Sequence, residues 1–156
     1  MGKMLAMLDR GAARDVWDLT NLPEPAKDVI GMPSFRNWFI ALAAILDHPL
    51  PSYTMSRLNG LVTERDVVEQ LAPMLAVETP PRADDLVRQA WAVLSEFMTL
   101  RHNEETYITS IERGELRPEL LFSDDPETAK RVAEHPAILW KITNVRAHLE
   151  QPLVRR

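Results

Sequence analysis

The sequence has no cysteine and only five glycines in 156 residues, against twelve prolines. Without cysteine there is no disulfide framework, no thiolate zinc site and no thiol nucleophile. The glycines stand alone and far apart, so they cannot form a phosphate-cradling loop. No Asn-Gly or Asp-Gly turn flanked by strand-like runs marks a hairpin, and strand-like alternation is nearly missing. The longest apolar run, Trp38 to Leu46, is half of what a membrane span needs and suits a buried helix. The N-terminal "MLAML" is soon interrupted by Asp9 and Arg10, which does not fit a secretory signal, so a cytoplasmic location is expected. A net charge of −5 argues against a surface that binds nucleic acid broadly, while leaving room for a local basic groove.

What remains is helical. The chain is long enough for one domain, or one and a small extension, burying roughly 68–70% of its unfolded surface. Leu86, Val87, Ala90, Trp91, Leu94, Phe97 and Met98 recur at spacings of three and four, which places them on one face of a helix over 83–98. Pro80-Pro81 fixes its N-terminal boundary. Met4, Leu5 and Leu8 before Gly11 predict a short first helix, and Ala12 to Leu22 a second, stopped by Pro23 and Pro25. Ser34 is expected to cap a helix through Trp38, Leu42, Ile45 and Leu46. Thr63 with Asp66 reads as a capping box, Asn103 as the cap of "EETYITSIER" with Gly114 as its stop, and Asp125-Pro126 as a helix start. A last helix carries Ile138, Leu139, Ile142, Val145 and Leu149. The fold class predicted is all-α, an irregular bundle of about seven helices.

Chemistry is sparse. No Asp-x-Asp, His-x-x-x-His or Glu-x-x-His pair occurs, and no serine has a nucleophile-elbow context. His48, His102, His135 and His148 are scattered. Asp84-Asp85 and Asp124-Asp125 sit at helix starts, where capping and the helix dipole account for them. One cluster stands out in "KMLAMLDRGAARDVWDL", residues 3–19. Asp15 and Asp18 are three apart and share a helix face, and Arg14 lies four before Asp18. These charges suit an ordinary helix rim with an Arg14–Asp18 ion pair. They equally suit a site where acids hold Mg²⁺ and a lysine offsets triphosphate charge.

The same stretch, "GKMLAMLDRGAARDVWDL", resembles the last conserved nucleotidyltransferase motif of the AbiEii/AbiGii toxin family: a lysine, an apolar turn, an arginine and an Arg-Asp-x-x-Asp-Leu run. Residues 111–145, "IERGELRPELLFSDDPETAKRVAEHPAILWKITNV", are similar to that family's C-terminal signature. The two matches span essentially the whole chain. The resemblance implies that Lys3 and Arg14 bind nucleotide and that Asp15 and Asp18 are the acids of the site. Mg²⁺ and a nucleoside triphosphate are implied, with an RNA acceptor and an antitoxin as partners. The family's Gly-Ser and metal-binding Asp-x-Asp motifs are absent, so no metal site is complete in this chain. Residues 1–22 are then expected to be the end of the nucleotidyltransferase domain and 23–156 its helical C-terminal domain, with the N-terminal catalytic half missing from this chain, whether as a truncated frame, a split enzyme or a fragment. Loss of that half predicts exposed Met4, Met7, Leu8 and Trp17, and a homodimer through the N-terminal helices.

Two other readings stay open. The chain could be a stand-alone all-α interaction module without enzymatic activity, anchored by Trp38, Trp91, Trp140 and Tyr107. Residues 55–71 could also form a DNA-binding helix pair that turns at Gly60 and meets phosphate through Arg57 and Arg65, although Glu64, Asp66 and Glu69 oppose it.

Overall fold

The computed structural model describes residues 1–75 and 79–150. The described residues contain no β-strand, and the chain is all-α. Among the described residues ten α-helices follow one another: α1 Gly2–Arg10, α2 Ala13–Thr20, α3 Glu24–Ile30, α4 Pro33–Ala43, α5 Met55–Leu61, α6 Glu64–Asp66, α7 Ala83–Met98, α8 His102–Glu112, α9 Pro126–Ala133 and α10 Pro136–Glu150. A π-helical turn, Val67–Leu71, continues α6. The excess over about seven comes from short helices between breakers. Pro25 sits in the first turn of α3, where a missing N–H costs nothing, so it starts a helix rather than stopping one.

The predicted punctuation holds in part. Thr63 and Asp66 form the capping box, each backbone N–H donating to the other's side chain at 3.1 Å. Asp125 accepts the Thr128 N–H at 2.9 Å, with Pro126 as the first helical residue of α9. Gly114 ends α8 at φ +75°. Two caps differ. Helix α4 begins at Pro33, which puts Ser34 inside its first turn. Helix α8 begins at His102, its entry closed by Glu104 accepting the Arg101 N–H at 2.8 Å, and Asn103 instead donates to the Leu120 carbonyl at 3.0 Å.

The chain forms two compact units. The first comprises Met1–Arg36 and Leu46–Thr99. In it α2 packs on α1 and on α7, burying Met4, Met7 and Leu8 against a core shared with Val16, Leu19, Leu86, Val87, Ala90, Leu94 and Phe97. Each large side chain buried this way contributes about 1.5–3 kcal/mol relative to exposure. The expected exposure of the first helix is therefore overturned: Met4, Met7 and Leu8 are at most 1% exposed and Trp17 is half-buried. The physical reason is that the apolar face of α1 packs on α2 within the core of this unit, so these side chains are not left as an exposed apolar surface.

The second unit comprises Asn37–Ile45 and the described residues from Leu100 onward. Its core holds Phe39, Ile40, Tyr107, Ile111, Val132, Ile138 and Ile142. Tyr107 donates its hydroxyl to the Ala41 carbonyl at 3.4 Å, and burial pushes its phenol well above the ordinary value. Trp38 meets Phe122 edge-on at 5.6 Å and carries the Arg131 guanidinium over its face. No helix of the described residues is long and apolar enough to cross a membrane.

Two glycines of the first unit make opposite demands. Gly11 closes α1 at φ +61°, and a Cβ there would lie 2.5 Å from Leu61 Cβ. Gly60 lies inside α5 with open space around its Cα. Gly11→Ala is expected to destabilise by about 1–3 kcal/mol. Gly60→Ala is expected to stabilise by roughly 0.5–1 kcal/mol. Denaturant unfolding of both variants checks the contrast, and equal effects would contradict the left-handed turn.

Candidate functional site

The cluster at the start of the chain is built by two short helices and the glycine between them. Lys3 and Arg10 are seven apart on α1, two turns along one face. Asp15 and Asp18 are three apart on α2. Gly11 closes α1 by donating its N–H to the Met7 carbonyl at 3.0 Å, and α2 starts two residues later. The turn sets the charged faces of the two helices against each other.

Asp15 is the centre of this arrangement. Its side chain is 1% exposed, accepting from Arg10 Nε at 2.8 Å on one oxygen and from Lys3 Nζ at 3.4 Å on the other. Asp18 is 35% exposed and meets Lys3 Nζ at 2.7 Å. Lys3 itself remains half exposed. Burial pushes the Asp15 carboxyl up, but the hydrogen bonds from Arg10 and Lys3, with their charges, outweigh it and hold it below the usual carboxylate range. Lys3 is held above its ordinary value, chiefly by its bond to Asp18.

Three of the four sequence-derived site residues, Lys3, Asp15 and Asp18, thus converge. The fourth does not. Arg14 is exposed and joins none of these ion pairs, so Lys3 rather than Arg14 pairs with Asp18. The arginine that joins the cluster is Arg10, which pairs with Asp15. It was legible as a charge but not as a partner, because helical spacing predicts neighbours only within one helix, and Gly11 breaks the register between Arg10 and Asp15.

The geometry fits the groups implied by the resemblance unequally. Both oxygens of Asp15 are buried and each faces a cationic side chain, which disfavours a metal ion there, and Asp18 alone is a poor cage for Mg²⁺. Among the described residues no three His, Asp or Glu side chains converge to hold a metal. A triphosphate oxygen fits better, since the Lys3 ammonium is half exposed and its partner Asp18 is partly solvated.

Other candidates resolve into structure. Arg57 lies over the Tyr53 ring at 4.9 Å and Arg65 pairs with Glu69 at 2.8 Å, so both arginines of the 55–71 segment are engaged. His48 packs edge-on to Tyr53. A cavity of about 280 Å³ between α2, α3 and α7 is mainly apolar, lined by Leu19, Leu22, Ile30 and Val93 with Lys27 at its edge. Lys27 is already paired with Glu24 at 2.7 Å. In the second unit, the segment 111–145 puts Gly114 under the Arg146 side chain, whose Nε donates to the Gly114 carbonyl at 2.7 Å. Trp140 of that segment is 66% exposed.

Asp15 gives the site a pH signature. Its native carboxyl titrates below the unfolded value, about 3.9. It therefore contributes stability above that pH, and the contribution is lost as pH falls through the native value. Asp15→Asn is expected to cost about 1–3 kcal/mol at neutral pH. Denaturant melts between acid and neutral pH should show a shallower acid loss in Asp15→Asn than in the wild type. Arg10→Ala should destabilise more than Arg14→Ala, and the reverse order would contradict the pairing.

No protein-family model, curated protein or solved structure matches the chain.

Proposed function

We propose that the chain is the helical portion of a nucleotidyltransferase-like toxin of the AbiEii/AbiGii type, contributing Lys3 to a triphosphate site. The observation that supports this is the convergence of Lys3, Asp15 and Asp18, fifteen positions apart at most, on one partly open spot of the first unit. Phosphoryl transfer depends on positioning and charge neutralisation, and the Lys3 ammonium supplies one such charge. Asp15 holds the two helices together, and Asp18 holds Lys3 until an anion takes its place. The sequence carries no Asp-x-Asp, so the chain does not transfer nucleotides unaided. A cytoplasmic location and an RNA acceptor belong to this reading.

Transfer from α-labelled nucleoside triphosphates to bulk RNA tests it, with the chain alone and with a polymerase-β-like α/β domain carrying Asp-x-Asp supplied in trans. Label is expected only in the mixture and is expected to disappear with Lys3→Ala. Transfer by the chain alone would overturn its incompleteness, and transfer by the mixture that is indifferent to Lys3→Ala would overturn the site.

One observation favours the stand-alone interaction module as a second reading. Trp140 and Leu139 are exposed side by side on α10, unlike the half-buried Trp17, Trp38 and Trp91. Binding of a protein partner that is unperturbed by Lys3→Ala, Asp15→Ala and Asp18→Ala, but lost in Trp140→Ala, would favour it.

A further inference from the structure

The reading of Lys3 as a phosphate-binding lysine raises a physical difficulty: the same ammonium touches a buried carboxylate. A buried carboxylate left without a partner is costly, so a lysine that was its sole counterion could not leave it for a ligand. The distances resolve the difficulty. Arg10 Nε sits 2.8 Å from Asp15, while Lys3 stands 3.4 Å away and makes its short bond, 2.7 Å, to Asp18. Asp18 is 35% exposed, so water can replace Lys3 there at small cost. Arg10 comes from the last turn of α1, where a cation is also favoured by the helix dipole.

Resting on the reading above, we propose that Arg10 is a positioning residue: by neutralising Asp15 it keeps Lys3 releasable, so that Lys3 can exchange Asp18 for a phosphate oxygen. Arg10 itself touches no ligand. Without it, Lys3 is the only cation left on Asp15 and is trapped there. Arg14, though its neighbour on α2, plays no part in this exchange, because it joins none of the ion pairs.

Lysine acetylation by a limiting anhydride pulse, read by mass spectrometry on the full chain, tests the proposal. Lys27, in the same unit and paired only with Glu24, is the internal reference. Arg10→Met is expected to slow labelling of Lys3 severalfold relative to Lys27, and Arg10→Lys to restore part of the rate. Adding Asp15→Asn to Arg10→Met removes the trap and is expected to restore it fully. Unfolding of a variant would speed labelling, the opposite direction, so a failed fold cannot imitate the result. Unchanged or faster labelling of Lys3 in Arg10→Met would overturn the proposal. Inorganic tripolyphosphate is expected to protect Lys3 in the wild type and in the double variant, but little in Arg10→Met, where Lys3 is already slow. If tripolyphosphate fails to protect Lys3 in the wild type while the Arg10 effect stands, the triphosphate reading is overturned and the role of Arg10 in holding Asp15 is not.

Discussion

A carboxylate that is almost entirely removed from water, Asp15, constrains the start of this protein more than any other group. Burying such a charge costs several kcal/mol unless a partner of good geometry compensates it, an order-of-magnitude figure that dwarfs an exposed ion pair. Arg10 is that partner, and it can reach Asp15 only if α1 ends where it does and α2 starts at once. Gly11 makes this possible with a left-handed turn, and Leu61 packs where its side chain would be. The same turn packs α1, with its buried Met4, Met7 and Leu8, on α2, which in turn packs on α7. One polar contact and one glycine thus fix the register in which an apolar core closes.

Much of the fold was legible because the signals were local. The face of α7 was readable from the spacing of Leu86, Val87, Ala90, Leu94 and Phe97, all buried. The box at Thr63 and the start at Asp125-Pro126 depend on residues within three positions of each other. The misreadings also have local causes. Pro25 reads as a stop in the sequence because its position within the first turn of α3 cannot be known before the helix is. Ser34 and Asn103 are good caps in isolation, but the helices start two residues earlier than those caps imply, at Pro33 and, with the Glu104 carboxylate closing the entry, at His102.

The site was legible in its members and not in its wiring. Lys3, Asp15 and Asp18 carried a motif, and the chain brings them together. The Arg14–Asp18 ion pair does not form, because a spacing of four predicts a neighbour on one helix, whereas the partner of Asp18 comes from another. Burial was invisible as well: nothing in Arg-Asp-x-x-Asp says which aspartate faces inward. With that settled, the two acids divide their roles. Asp15 is a structural counter-charge, and Asp18 is the open one. The second unit tells a complementary story, in which Tyr107 and Ile138 serve the core while Trp140 is left facing solvent.

The carboxyl of Asp15 is where the account is most directly exposed to measurement. A carbonyl-detected NMR titration of that side chain is predicted to give a midpoint below the ordinary aspartate value, about 3.9, and to move upward in Arg10→Met. A midpoint at or above that value in the wild type, or one indifferent to Arg10, would contradict a buried carboxylate held by Arg10 and the arrangement built on it.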